Sequence, residues 1–300
     1  MPARVVAVVG PTATGKSDLG VALAQALGGE VVNADSMQLY AGMDIGTAKL
    51  TADERRGVTH HLLDVWDVRQ TATAAAYQAL ARACIDALLA RGVTPVLVGG
   101  SGLYLRAALD VLEFPGTDPA LRAQLETDLA EQGAPALHAR LAALDPAAAS
   151  RMEPTNGRRV VRALEVVLLT GAMPGELTAY EHHYETTYLG LDRPDLAART
   201  DLRVDRMWAH GLVEEVRRLE LRGLRDGVTA SRALGYAQVL AMLDGTLTED
   251  EAREATKVAT RRFVRRQRGW FRRDPRILWL DPEQDLLAAA QSTVSQPIAR

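Results

Sequence analysis

Three features of the sequence predict an α/β protein, a parallel sheet with helices on both faces plus an all-helical insertion domain. Up to Leu112, short apolar runs alternate with helical stretches, the βαβα order that lays successive strands parallel in one sheet. Behind the run Val5 to Val9, the octapeptide Gly10, Pro11, Thr12, Ala13, Thr14, Gly15, Lys16, Ser17 matches the phosphate-loop pattern G-x-x-x-x-G-K-[ST] in the strand-to-helix setting it requires. From about Gly116 the β signals stop, and they resume only near Tyr188. The core is therefore expected to be P-loop NTPase-like, with residues 1–115 as its first part, 116–186 as the helical insertion and 187–300 as its completion.

The elements follow in order. Val5 to Val9 is the unbroken apolar run that a strand buried on both faces needs. A helix starts at Lys16, then come strands at Glu30 to Ala34 and His60 to Val65, an Ala-rich helix from Thr73 to Arg91 and a strand from Pro95 to Val98. In the insertion, Asp118 to Tyr180 reads as helices, with Leu121, Leu125 and Leu129 on one stripe and Val160, Leu164, Val167 and Leu168 on another. Tyr188 to Leu191 resumes a strand, Asp195 to Arg222 is helical, and a helix from Glu249 to Arg272 leads into a last strand, Ile277 to Leu280. The residues after Ala290 are expected to be loose.

Composition narrows the function classes. The 300 residues are 47% hydrophobic and 24% charged, enough for one large α/β core with an insert. The single cysteine, Cys84, excludes an internal disulfide framework and a Cys-rich zinc site, and no signal-peptide pattern opens the chain, so a cytoplasmic protein is expected. No apolar run approaches the roughly 18 residues of a membrane helix, and no membrane partner is expected. A net charge of −3 argues against bulk electrostatic binding to nucleic acid but leaves room for a local basic surface. The chain is expected to act as a monomer.

The candidate chemistry sits at strand ends, where open α/β sheets bind their ligands. The glycines of the phosphate loop let backbone N–H groups turn inward around an anion, the following helix adds its positive end, Lys16 adds a full charge, and Ser17 can hold Mg²⁺. Asp35, in Asn33-Ala34-Asp35-Ser36-Met37-Gln38-Leu39-Tyr40, can be a Mg²⁺ ligand, a general base or a helix N-cap. The turn Gly99-Gly100-Ser101-Gly102 permits close backbone approach, and Ser101 offers a hydroxyl; a plain tight turn would use the same residues. An arginine-bearing helix start, Asn156 to Glu165, lies in the insertion.

Taken in order, GPTATGKS, DSMQLY with GMDIGTAK, HHLLD, VGGSGLY, RRVVRALEV, SRALGYAQ and RRFVRRQRGWFRRD strongly resemble the bacterial tRNA dimethylallyltransferase family from about Val5 to Leu280. That resemblance implies transfer of a five-carbon prenyl group from dimethylallyl diphosphate to N6 of adenosine 37, just 3′ of the anticodon, in certain tRNAs, with Mg²⁺ as cofactor. It implies that Thr12 to Ser17 hold the diphosphate, that Arg232 approaches it from the opposite side, that Asp35 is the base and that Ser101 orients the amine or a phosphate oxygen. By the same resemblance the RNA contacts fall to Asp35, Ser36, Met37, Gln38 and Ser101, and on the insertion to Arg122, Arg158, Arg159, Val160, Val161 and Arg162. Arg158 stands where a Gln is common in this motif and Val161 where a polar residue is frequent. The late helix with Arg261, Arg262, Arg265, Arg266, Arg268, Arg272 and Arg273 around Phe263, Trp270 and Phe271 suits phosphate contacts plus packing.

Two other readings compete. A small-molecule or nucleotide kinase uses the same loop, although Pro95 to Val98 ends in glycines rather than a second acidic residue. A non-catalytic tRNA-binding or nucleotide-switch module would have no need of the carboxylate at position 35.

Overall fold

The computed structural model describes residues 4–174 and 180–296 and divides them between two compact units. The first unit is built from Met1–Val111 and Glu181–Arg300, the second from Leu112–Tyr180. Residues 181–186, expected in the insertion, thus belong with the core: His182 bridges to Asp110, and the His183 N–H donates to the Leu109 carbonyl at 2.8 Å.

The first unit opens with β1 (Val5–Val9), α1 (Lys16–Leu27), β2 (Glu30–Asn33), β3 (His60–His61), α2 (Ala74–Ala90), β4 (Pro95–Gly99) and α3 (Gly102–Leu109). The second unit holds α4 (Pro119–Gln132), α5 (Ala134–Leu144), α6 (Pro146–Ser150) and α7 (Gly157–Thr170). The first then resumes with β5 (Thr186–Leu191), α8 (Leu196–Ala209), α9 (Leu212–Glu220), short 3₁₀ turns at Leu224–Asp226 and Ala230–Arg232, α10 (Tyr236–Leu243), α11 (Glu249–Phe271), β6 (Ile277–Leu280) and α12 (Leu286–Ser295).

The six strands pair in parallel in the order β3-β2-β4-β1-β5-β6. All five residues of β1 are buried, because α1 and α12 pack on one face through Leu19, Leu23, Ala290 and Val294, while α2 and α3 lie together on the other. The chain leaves β1 for β2, two places away, and β4 later fills the gap. Register aligns Val9 with Gly99 and Asn33 with Val98, so the loops after β1, β2 and β4 open side by side. A helical lobe of α8, α9 and α10 with the start of α11 packs around Tyr40, Met43, Trp208, Leu212, Val216 and Tyr236.

Four sequence expectations change. The strand expected from His60 to Val65 stops at His61, because Leu62 and Asp64 take left-handed backbone angles (φ 59° and 58°) that no strand accommodates. The helix expected from Asp195 to Arg222 breaks at Gly211 (φ 92°), which starts α9. The residues after Ala290 are not loose as far as Ser295: α12 is capped by Asp285 and anchored by buried Ala290 and Val294. In the second unit the last helix ends at Thr170, and Leu168 is exposed rather than in the stripe; residues 175–179 of that expectation lie outside the described residues.

The second unit has its own core of Leu125, Leu137, Leu141, Val160, Val161, Leu164 and Val167. Asp118 caps α4, Asp145 caps α6 and Asn156 caps α7 with side-chain acceptors. No helix of the described residues is long and apolar enough to cross a membrane.

Candidate active site

The phosphate loop is shaped by its own sequence. Gly10 sits at φ 140°, and a Cβ there would lie 2.1 Å from the Leu191 carbonyl oxygen on neighbouring β5, so only glycine lets the chain turn off the sheet. Ala13 and Gly15 continue in left-handed conformations (φ 68° and 95°), and the Thr14 hydroxyl closes the turn by donating to the Pro11 carbonyl at 3.0 Å. Helix α1 starts with no side-chain cap, so its first N–H groups remain free for an anion.

Lys16, Thr12 and Ser17 line a pocket of about 630 Å³, its open mouth included, together with Asn33, Asp35, Gln38, Thr47, His60, Gly99, Gly100 and Arg203. The Lys16 ammonium donates to the Pro11 carbonyl at 2.5 Å. Burial above all, and the positive charge of Arg203, push its pKa down to about 7 against the pull of Asp35. The pocket opens toward a larger groove of about 1800 Å³ that shares Lys16, Ser17, Ala48, Leu50 and Arg203 and adds Arg199, Arg206 and His210.

Asp35 follows β2 and is the one carboxylate among the described residues of the inner pocket. Its Oδ1 accepts the Met37 N–H at 3.0 Å. Asn33, almost wholly buried, fixes the turn by accepting the Asp35 N–H at 2.9 Å and donating to the carbonyls of Asp35 (3.0 Å) and Leu62 (2.9 Å). The Tyr77 hydroxyl ties Asn33 to α2 from behind. Ser101 joins this group from β4: its Oγ accepts the Ser36 N–H at 3.2 Å and lies 3.3 Å from the Ser36 hydroxyl. Gln38 donates to the Thr47 carbonyl at 3.1 Å, and partly buried Met37 packs on the helical lobe.

Three residues that the sequence reading did not single out organise the pocket. Gln267 on α11 accepts the Thr12 N–H at 3.0 Å and donates to the Gly100 carbonyl at 2.9 Å, locking the phosphate loop to the glycine turn. Its signal was a lone amide within an arginine run, on the buried stripe Thr256, Thr260, Val264, Gln267, Phe271. Glu215 on α9 accepts the N–H groups of Asp44, Ile45 and Gly46 and the Tyr236 hydroxyl, fixing the loop that walls the pocket. Arg203 reaches the pocket from α8 and donates to the Thr47 carbonyl at 3.1 Å. Nothing local in the sequence marks either of the last two.

Other expected site residues fall elsewhere. Arg232, at the end of a 3₁₀ turn, is exposed and lines neither the pocket nor the groove. In the second unit, Val160 and Val161 are buried in the core, so their side chains are not available to RNA. Arg122 and Arg162 both pair with Glu165, which is fully buried, and Arg162 also donates to the carbonyls of Pro115 and Gly116. Paired arginines hold the Glu165 carboxyl below its usual range against the opposing effect of burial, the largest single influence. Arg158 and Arg159 are exposed at the start of α7. On α11, Arg261 pairs with Asp201 while Arg268 and Arg272 pair with Asp192; Arg262 and Arg265 are exposed and carry no ion pair among the described residues.

Fold and pocket together define a P-loop α/β protein whose phosphate loop opens on a carboxylate at the end of β2, two strands away in the sheet. The sequence pattern of the IPP transferase family matches residues 38–274. A tRNA dimethylallyltransferase of Streptomyces coelicolor is 63% identical over 302 residues, covering 98% of this chain and 97% of that protein. Among solved structures, the tRNA isopentenylpyrophosphate transferase of Bacillus halodurans superimposes with a TM-score of 0.71 at 40% identity, over 96% of this chain and 93% of that one. A eukaryotic dimethylallyltransferase acting on tRNA gives a TM-score of 0.82 at 26% identity, over 99% and 81%. The chain belongs to the IPP transferase family.

Proposed function

We propose that this protein transfers the dimethylallyl group of dimethylallyl diphosphate to N6 of adenosine 37 in tRNA and releases diphosphate. One observation carries the reading: Lys16 and Ser17 of the phosphate loop and the Asp35 carboxylate share the inner pocket. An anion cradle and a proton acceptor are thereby offered to the two ends of a single alkyl transfer.

In this reading the diphosphate lies against the N–H groups of Thr12 to Ser17 with Lys16 beside it. The N6 lone pair forms a bond to the allylic carbon as the carbon–oxygen bond breaks, and that electron pair leaves on the diphosphate. The proton released from N6 passes to an Asp35 carboxylate oxygen, which offsets the poor nucleophilicity of an amine conjugated with the purine ring. Lys16 and the loop N–H groups stabilise the charge that develops on the leaving group. The target base has to leave its stack to enter such a pocket, which costs a few kcal/mol in general and less in a single-stranded loop. Ser36, Gln38 and Ser101 stand next to Asp35 to meet the base, and exposed Arg158 and Arg159 are offered to phosphates.

The donor set suits Mg²⁺. A hydroxyl and a carboxylate, Ser17 and Asp35, line the pocket, and among the described residues no group of three or more His, Cys, Asp or Glu could hold a metal unaided. Mg²⁺ is commonly held by one or two protein oxygens plus substrate phosphates. When bound it neutralises charge on the departing diphosphate.

Incubation with dimethylallyl diphosphate, Mg²⁺ and unmodified tRNA, followed by mass analysis of RNA digests, should show the added prenyl group on adenosine. Asp35→Ala should retain RNA binding and lose about 10²–10⁴-fold in transfer rate. Unmodified tRNA together with label passing from the ATP γ-phosphate to a small acceptor would instead establish a kinase.

A further inference from the structure

We propose that Arg276 is a positioning residue for tRNA: by gripping Asp110 and Asp274 together it fixes the root of the second unit to the end of α11, so that the cations carried by each meet one RNA. The inference rests on the function proposed above and concerns residues to which that reading gives no part.

The chain leaves the first unit after Val111 and re-enters it at Glu181. There the two connecting segments are stapled side by side. Asp110 bridges to His182, the Val111 N–H donates to the Glu181 carbonyl at 2.9 Å, and the His183 N–H donates to the Leu109 carbonyl at 2.8 Å. Helix α2 holds both segments: Arg82 donates to the Asp110 carbonyl at 2.7 Å, and the Tyr184 hydroxyl donates to Asp86 at 2.7 Å.

The Asp110 side chain is wholly buried. It accepts Arg106 Nε at 2.6 Å and both terminal nitrogens of Arg276, at 2.8 and 3.2 Å. The same guanidinium donates to Asp274, just past the end of α11 at Phe271, at 2.9 and 2.7 Å, and lies 4.5 Å from the centre of the Tyr188 ring. Burial, the largest single influence, works against the charge on Arg276, but its hydrogen bonds to Asp274 and Asp110 outweigh it and raise the pKa further. One permanently charged head group is therefore shared by two carboxylates.

Stability alone does not account for such a cluster, because well-packed apolar residues of similar volume are often as stable as a buried ion pair. What a planar guanidinium adds is direction, since two bidentate pairs hold their carboxylates at a set spacing. One of these carboxylates belongs to the root of the second unit, which carries exposed Arg158 and Arg159. The other follows α11, which carries exposed Arg262 and Arg265. A polyanion held by one set gains from the other only where the two are already spaced to meet it, and a fixed root removes the cost of bringing them there.

The test uses the full chain, with prenyl transfer at varied tRNA concentration, calorimetric binding of inorganic pyrophosphate and thermal melts. Arg276→Met keeps an unbranched stem over Tyr188 and leaves Asp110 its partner Arg106. The KM for tRNA should rise about 3- to 30-fold, the range typical of mutations that act on a site from a distance. At saturating tRNA, kcat and pyrophosphate affinity should stay within about twofold of wild type. In a chain already carrying Arg158→Gln and Arg159→Gln, Arg276→Met should raise KM little further, because the residues act in series. If Arg276→Met melts below the assay temperature, Arg276→Lys, which keeps the charge without the fork, is read instead, with a smaller rise in the same KM. An unchanged KM for tRNA in the variant read, a loss of pyrophosphate affinity equal to the rise in KM, or full additivity with the Arg158 and Arg159 changes overturns this inference alone. A wild-type chain that leaves tRNA unprenylated overturns the proposed function and this inference with it.

Discussion

Replacing Glu215 by glutamine tests how the wall of the pocket is held. The carboxylate is 2% exposed. Its Oε2 accepts the N–H groups of Asp44 (3.1 Å) and Ile45 (2.8 Å), and its Oε1 accepts the Gly46 N–H (3.2 Å) and the Tyr236 hydroxyl (2.6 Å). An amide keeps one acceptor oxygen and turns an NH₂ group toward two donors. Two bonds to a charged acceptor disappear, each contributing about 1.5–3 kcal/mol, so a destabilisation of about 3–6 kcal/mol is expected. In a domain of this size that corresponds to a fall in Tm on the order of 10 °C. The damage should reach the pocket, because the same loop presents the Thr47 carbonyl to Gln38 and Arg203. Thermal melts and hydrogen exchange at the Ile45 amide measure the two effects. A Tm within about 2 °C of wild type with unchanged Ile45 protection would refute the reasoning.

Two further outcomes follow from the site. With Lys16 at about 7 in the anion-free protein, a bound diphosphate favours its charged form, so above that pH binding takes up a proton and affinity falls by up to about tenfold per pH unit. For the unliganded protein the same depressed pKa means that the unfolded chain holds the proton longer, so stability rises as pH climbs from about 7 toward 10.5. Asp35 and Arg203 act on this lysine, and His60 in the same lining is held below its ordinary range chiefly by burial. Calorimetry without metal in buffers of different ionisation heat measures the uptake; Lys16→Arg should lose the lysine's share, and equal uptake by both proteins near pH 8 rules the account out. Gln267→Leu leaves the Thr12 N–H and the Gly100 carbonyl without their partner, at a cost of about 1–3 kcal/mol for each. Urea unfolding and pyrophosphate titration should both register the loss, and wild-type values in both would show that the bridge does not matter.

The boundaries between elements show where the sequence reading reached its limit. Strands β1, β4 and β6 and helices α1, α2 and α11 were visible within a residue or two, because apolar runs, periodicity and caps are written in neighbouring residues. The stop of β3 after His61 was not, since left-handed backbone at Leu62 and Asp64 is imposed on residues that do not prefer it. Val160 and Val161 follow arginines in an RNA-like motif, yet α7 turns both valines into the core of the second unit.

Eight contiguous residues determined the phosphate loop, because its shape depends on glycine at particular backbone angles and on a lysine and a serine at fixed offsets. Position 35 was equally legible, as an acid at a strand end. Tertiary structure alone decided what surrounds them: Gln267 from α11, Glu215 from α9 and Arg203 from α8 reach the loops through contacts spanning more than 150 residues of chain. No short-range pattern records such a meeting. It follows from helix packing and from where each buried polar group finds its partner, and those are properties of the assembled fold.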